Sequence, residues 1–265
     1  MPELPDVEAL VRELRRRVKG RRIRGVSILS PSTIRSPRPS VFARRVRGRA
    51  IRAVGRRGKY LLIDLDGRLM IAAHLRMTGD LEVARPGDSQ PPHTRVVFAL
   101  NGRELRFTDQ RRLGHIDLID LTRPGALAAW VRERHLGAEP LDPAFTPDRF
   151  RKILRGRRGA LKALLLRQDL IAGIGNLYAD EILFHARLSP LRSPASLGPV
   201  DLTRLYRAVR TVLQRGLTSL TRYGKTPGRL IAVRTKGGMC PRCRRTLRTA
   251  TVGGRTTYYC PGCQR

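Results

Sequence analysis

Acidic residues are scarce in this chain of 265 residues: 21 Asp and Glu stand against 54 Lys and Arg, a formal net charge of +33. Self-repulsion on that scale calls for a polyanionic partner. Long apolar runs are missing as well. The stretch LMIAAHL is typical of the longest and is far too short to cross a bilayer. The first twenty residues interleave acids and bases, which excludes a secretory hydrophobic segment. Positive charge is spread along the whole chain instead of one amphipathic helix, so nucleic acid fits better than an anionic membrane surface. Cysteine is absent before residue 240, so no disulfide scaffold supports the body of the protein. No internal repeat or low-complexity tract interrupts it beyond arginine enrichment. These absences predict a cytoplasmic protein that works on DNA or RNA, with no membrane partner.

What is present changes period along the chain. Val7, Leu10, Val11, Leu14 and Val18 fall at helical spacing over Pro5–Val18, with Gly20 as a stop. Over the next hundred residues RIRGVSIL, KYLLIDL, RLMIAAHL, TRVVFAL, RELRFTD and HIDLIDL read as strands. Asp66-Gly67 and Asn101-Gly102 join two pairs of them as hairpins, which predicts an antiparallel sandwich or barrel. The turn-rich GAEPLDPAFTPD at 137–148 separates this region from three helical patterns, ALKALLLRQDL, NLYADEILFHARL and DLTRLYRAVRTVLQRGL. The expected organisation is a catalytic β-sandwich domain over 1–136, a hinge at 137–148, a helical domain over 149–230 and a cysteine module over 231–265.

That module reads C-x2-C-x16-C-x2-C through Cys240, Cys243, Cys260 and Cys263, with a hairpin turn at Gly253-Gly254. Two close pairs of thiolates suit one tetrahedral zinc ion, and four sulfur ligands leave no open position for catalysis. The metal is therefore a structural clamp that presents Arg255 and its neighbours. In IAGIGNLYADE, Gly173 and Gly175 permit a tight turn and Asn176 is placed to cap the next helix, whose N-terminus would bind phosphate. An ordinary glycine turn between helices is the competing reading. Lys59 in RRGKYLL is either a solvated charge or a strand-end amine. DQRRLGH sets Arg111, Arg112 and Leu113 on one loop, either a solvated turn or a wedge for a gap in a base stack.

The N-terminus, MPELPDVEAL, also supports two readings. Proline and an acid at a helix start are common. Removal of the initiator methionine would instead expose the secondary amine of Pro2. An α-amine titrates at about 7.7 to 8.0, far below the roughly 10.4 of lysine. Attack of that amine on a sugar C1′ forms a charged iminium, an electron sink suited to eliminating the 3′ phosphate. Glu3 beside it is placed to move protons.

Six motifs in order, the PELP start, RRGKYLL, HLRMTGDL, DQRRLG, GIGNLYADE and the four-cysteine finger, resemble the formamidopyrimidine-DNA glycosylase and endonuclease VIII family of base-excision repair enzymes. The resemblance implies an α+β multidomain protein: an N-terminal antiparallel β-sandwich flanked by helices, a helix-two-turns-helix domain, and a C-terminal β-hairpin zinc finger. It implies a monomeric, nucleoid-associated bacterial enzyme on damaged double-stranded DNA, acting as glycosylase and AP lyase with β,δ-elimination, and one structural zinc. By this likeness Pro2 is the Schiff-base nucleophile and Glu3 the proton donor. Lys59 and Arg255 serve the eliminations and grip phosphate. His74, His93, Arg111, Arg112, Arg158 and Asn176 contact DNA, and Met77, Arg111 and Leu113 enter the duplex where the nucleotide has flipped out. The alternatives are a lesion-binding protein of the same fold with weak catalysis, a glycosylase specialised for a bulky adduct, and a zinc-ribbon RNA-binding protein. Leu113 where phenylalanine is usual, Gln110 where proline is usual, and a short TSLTRYGKTPGRLIAVRTKGGMC segment before the finger set this chain apart from the 8-oxoguanine branch.

Overall fold

A computed structural model describes residues 2–265. The chain divides into two compact units, one comprising Pro2 and Val7–Arg134, the other Glu3–Asp6 and His135–Arg265. Helix α1 (Leu4–Val18) contributes its first turn to the second unit and the rest to the first. Its stripe of Val7, Val11, Leu14 and Val18 is fully buried in the first unit's core, as the spacing predicts. Asp6 Oδ2 accepts the Glu3 N–H at 2.8 Å, which satisfies a donor that the helix start would otherwise leave open.

The first unit continues through β1 (Ile23–Ile28), β2 (Ile34–Ser36), α2 (Pro39–Val46), β3 (Ile51–Arg57), β4 (Tyr60–Leu65), β5 (Leu69–His74), β6 (Gly79–Ala84), β7 (Thr94–Leu100), β8 (Arg103–Asp109), β9 (His115–Asp120) and α3 (Ala126–Glu133). Strands β1-β7-β8-β6 form one sheet and β2-β9-β5-β4-β3 the other. Residues of both, such as Phe98 and Phe107 against Leu61 and Ile71, share one core. Both Asp-Gly and Asn-Gly dipeptides lie where expected, in the β4–β5 and β7–β8 turns. The sandwich departs from pure antiparallel pairing at one place, where β2 runs parallel to β9. Strands β3 and β6 escape the alternation test because each puts only two side chains deep in the core, Ile51 with Val54 and Leu81 with Val83. Their remaining positions are polar or small.

The second unit holds α4 (Pro147–Leu154), α5 (Leu161–Leu166), α6 (Asn176–Ala186), α7 (Pro199–Tyr223) and the hairpin β10 (Arg248–Val252) and β11 (Arg255–Tyr259). Thr146 caps α4 by accepting the Arg149 N–H at 3.2 Å, and Pro147 occupies the first helical turn. Residues 137–148 are bonded into this unit: Gly137 N–H donates to Gln168 O at 2.8 Å, and Phe145 is buried. Helix α6 is buried on nearly every side, from Tyr178 to Phe184, so it forms the axis of this core.

Candidate functional site

The Glu3 carboxylate is the best-held acid near the N-terminus. It is 2% exposed, and it accepts N–H bonds from Gly175 at 2.7 Å, Leu177 at 2.8 Å and Tyr178 at 3.2 Å. These are the open donors at the start of α6, so an acid from the other end of the chain caps this helix. Two expectations are corrected by this. Glu3 holds the N–H groups of Gly175, Leu177 and Tyr178, so these three are not free for phosphate. Asn176 is also not the cap: Gly175 occupies that position, and the Asn176 Oδ1 is buried without a partner. Gly175 is needed for close approach, since a Cβ there would lie 2.3 Å from Glu3 Cδ. Gly173 has φ of +98° and would drive a Cβ to 2.7 Å from Leu4 Cβ. The GIGN turn is thus shaped around residues 3 and 4.

In the first unit, Lys59 lies in the turn between β3 and β4 and is only 7% exposed, so the reading of a solvated charge fails. Tyr60, His74 and His115 stand side by side in register on β4, β5 and β9. The two imidazoles stack with centroids 5.5 Å apart, and Tyr60 meets His74 edge-on at 4.6 Å. Burial, aided by Arg76, His115 and Lys59, pushes His74 down to about 3. His115 is pushed down to about 4, chiefly by burial and then by Arg35. Both rings are neutral near neutral pH, and His74 Nδ1 accepts the Arg76 N–H at 3.0 Å.

The tips of two neighbouring turns carry the wedge candidates. Met77 between β5 and β6 is 41% exposed and Leu113 between β8 and β9 is 46% exposed. Asp109, 1% exposed, ties the turns together: it accepts from Thr78 Oγ1 on the first, and from the N–H groups of Arg111 at 3.2 Å and Gly114 at 2.6 Å on the second. Its own N–H donates to the carbonyl of His93, whose φ is +70°. Arg111, Arg112 and Leu113 are exposed on the same turn. Sequence reasoning had no role for Asp109, although it opens the quoted DQRRLGH motif.

In the second unit, Arg158 is exposed between α4 and α5, and Arg255 is exposed at the start of β11. The four cysteine sulfurs lie within 4.8 Å of one another, with Cys243 to Cys260 at 3.4 Å and Cys240 to Cys263 at 3.8 Å. Zinc–sulfur bonds of about 2.3 Å give a tetrahedron with edges of about 3.8 Å, so the cluster fits one zinc ion. A buried network steadies the hairpin. Lys162 Nζ lies 2.7 Å from Asp180 Oδ1 and donates to Thr257 Oγ1 at 2.8 Å, while Arg234 bonds both Asp180 Oδ2 at 2.7 Å and Thr256 O at 2.8 Å. Burial pushes the Lys162 ammonium below its ordinary value, with Asp180 opposing. The sequence hid Lys162 inside an apolar helical pattern. Among the described residues no helix is long and apolar enough to cross a membrane.

A two-sheet sandwich, a helical unit and a four-cysteine hairpin in this order define a zinc-finger protein of the base-excision repair type. Three family descriptions match in succession: the formamidopyrimidine-DNA glycosylase N-terminal domain over 1–116, its H2TH domain over 136–224, and the zinc finger found in FPG and IleRS over 237–265. The formamidopyrimidine-DNA glycosylases of Pelotomaculum thermopropionicum and Chloroflexus aurantiacus are 42% and 43% identical to all of this chain, over 99% and 98% of their own lengths. A Lactococcus lactis Fpg complex with abasic-site DNA superposes with a TM-score of 0.90 at 27% identity, covering 99% of both chains. Another, with DNA containing N7-benzyl-Fapy-dG, gives 0.91 at 27% identity over 100% of both chains. The chain belongs to the formamidopyrimidine-DNA glycosylase family.

Proposed function

We propose that this protein removes damaged bases from duplex DNA and then nicks the strand, with Pro2 as nucleophile. Release of Met1, which lies outside the described residues, leaves the secondary amine of Pro2. The amine forms a bond to C1′ as the N-glycosidic bond breaks, and the base departs with a proton. The amine loses its proton, Glu3 protonates O4′ as the C1′–O4′ bond opens, and the nitrogen lone pair forms the iminium. The iminium withdraws electrons, so loss of a C2′ proton expels the 3′ phosphate, and a second elimination expels the 5′ phosphate. Water then releases Pro2. Glu3 supplies and recovers protons, and Lys59 and Arg255 hold phosphate while it leaves.

The observation that carries this reading is the carboxylate next to Pro2, buried and fixed by three N–H groups of another helix start. A plain helix cap needs no such anchoring of Glu3, because Asp6 already serves the start of α1. Met77, Arg111 and Leu113 would fill the gap left by the flipped nucleotide, and His74, His93, Arg112, Arg158 and Asn176 would contact the backbone around it. The damaged bases are oxidised or otherwise altered ones.

Sodium borohydride reduces an iminium to a stable amine. Incubated with abasic duplex and borohydride, the untagged protein should become covalently linked to DNA. A variant with an uncleavable N-terminal extension should bind the duplex and give no adduct. An adduct from the extended protein would remove Pro2 from the mechanism, and binding without any adduct from the untagged protein would leave a lesion-binding protein without chemistry.

A further inference from the structure

A cavity of about 450 Å³ opens between α6, α7, the segment that follows α7 and the first cysteine knuckle. Arg215, Arg229 and Arg242 line it, and none of the three forms an ion pair among the described residues. The one carboxylate in the wall is Glu181. It is buried and spent on the N–H groups of Arg229 at 3.0 Å, Leu230 at 2.8 Å and Ile231 at 3.1 Å. Three guanidiniums against one carboxylate leave two positive charges. A phosphomonoester carries about two negative charges at neutral pH and accepts from the planar fork of arginine, whereas a phosphodiester carries one.

The rest of the wall suits an organic group attached to that phosphate. Val212 and Pro227 give apolar surface, and Phe184 carries the Arg242 guanidinium 4.0 Å from its ring centroid. Arg242 Nη1 donates to Phe184 O at 2.6 Å, which fixes the orientation of the fork. His185 is kept below the ordinary histidine value by burial and by Arg215 and Arg242, so it offers a neutral polar edge. The volume lies in the range of small-molecule sites and exceeds what inorganic phosphate fills. The lining starts at Glu181 on the second turn of α6, about 7.5 Å along the helix from Asn176 at a rise of 1.5 Å per residue.

We propose that this cavity binds the phosphomonoester of a nucleotide, either a free mononucleotide or the phosphorylated end of a DNA strand. The ligand joins Arg229 of the connecting segment to Arg215 of α7 and Arg242 of the zinc knuckle, and so tightens the segment that Glu181 already anchors. This role goes beyond base removal.

Calorimetric titration of the zinc-loaded protein with deoxyadenosine 5′-monophosphate tests it. Saturable binding is expected, at least tenfold tighter than either inorganic phosphate or deoxyadenosine, with slower amide exchange in residues 227–234. The double variant R215A/R229A should raise the dissociation constant at least tenfold and leave borohydride trapping on abasic duplex unchanged. A short single strand with a 5′ phosphate that displaces the mononucleotide identifies a strand end as the source, and failure to displace it identifies the free nucleotide. No binding, equal binding by the double variant, or equal binding of deoxyadenosine would each overturn the assignment. Loss of trapping in the unaltered protein counts against the glycosylase reading, not against this site.

Discussion

Replacing Glu3 by glutamine separates holding from proton transfer. The amide keeps one acceptor oxygen for the α6 donors, but it cannot protonate a sugar as the base leaves. Base excision in E3Q should fall roughly 10²- to 10⁴-fold, the usual share of general acid–base catalysis. Trapping on a preformed abasic site, which has no base to expel, should persist in single-turnover assays. Gly175→Ala should reproduce this pattern by a different route. Its backbone is extended, so alanine brings no torsional strain, yet the new Cβ meets Glu3 Cδ at 2.3 Å and must displace it. The steric cost to stability should be about 1 to 3 kcal/mol, read by thermal unfolding.

His74 and His115 also act at the scale of single residues. Both are held below the ordinary histidine value, at about 3 and about 4. The unfolded chain therefore binds protons that the native state refuses as pH drops below about 6.5. The sign is that stability is fully present above that pH and lost on acidification toward the folded values. His74 alone gives a limiting slope of about 1.4 kcal/mol per pH unit, and His115, whose shift is smaller, adds less. Melting temperatures of the wild type and of His74→Gln between pH 7 and pH 4 should diverge from parallel, the variant losing less on acidification.

Among the elements, the hairpin that carries Arg255 is the one most dependent on charge. Strands β10 and β11 have a few apolar side chains of their own, and Lys162, Asp180 and Arg234 fix them from α5, α6 and the preceding segment. Lys162→Met should cost about 3 kcal/mol, the lower end for breaking a buried pair, because Arg234 still neutralises Asp180. Unfolding temperature and amide exchange over 248–259 measure it, and unchanged exchange would show that the zinc site alone holds the hairpin. The same elements show what patterning can reveal. Helix α1 and strands β4, β5, β7, β8 and β9 are legible because burial on one or both faces leaves an apolar signal. Strand β2 has three residues and α4 begins inside a turn-rich stretch, so neither leaves a period long enough to read.

For the whole molecule the governing quantity is charge. Lys59, Arg112, Arg158 and Arg255 are the full cations among the proposed phosphate contacts, while Asn176 is uncharged and His74 stays neutral. Release of four counterions gives a slope near −3.6 in log affinity against log salt, so affinity for an abasic-analogue duplex should drop roughly 150-fold from 50 to 200 mM. A much steeper slope in fluorescence titration would mean that arginines outside these positions neutralise phosphate too.

By itself the sequence determined the polyanionic partner, the zinc ligands, the α1 stripe and most of the sandwich strands, because charge, ligand spacing and one-sided burial are written in local order. Its six motifs also carried the family resemblance. Only the tertiary structure decided which groups close on one another. It put the Glu3 carboxylate onto three N–H groups 172 to 175 positions away, and it buried Lys59. It tied the turns of Met77 and Leu113 through Asp109. Such contacts depend on how distant backbone donors are aimed, and residue spacing along a chain carries no record of that direction.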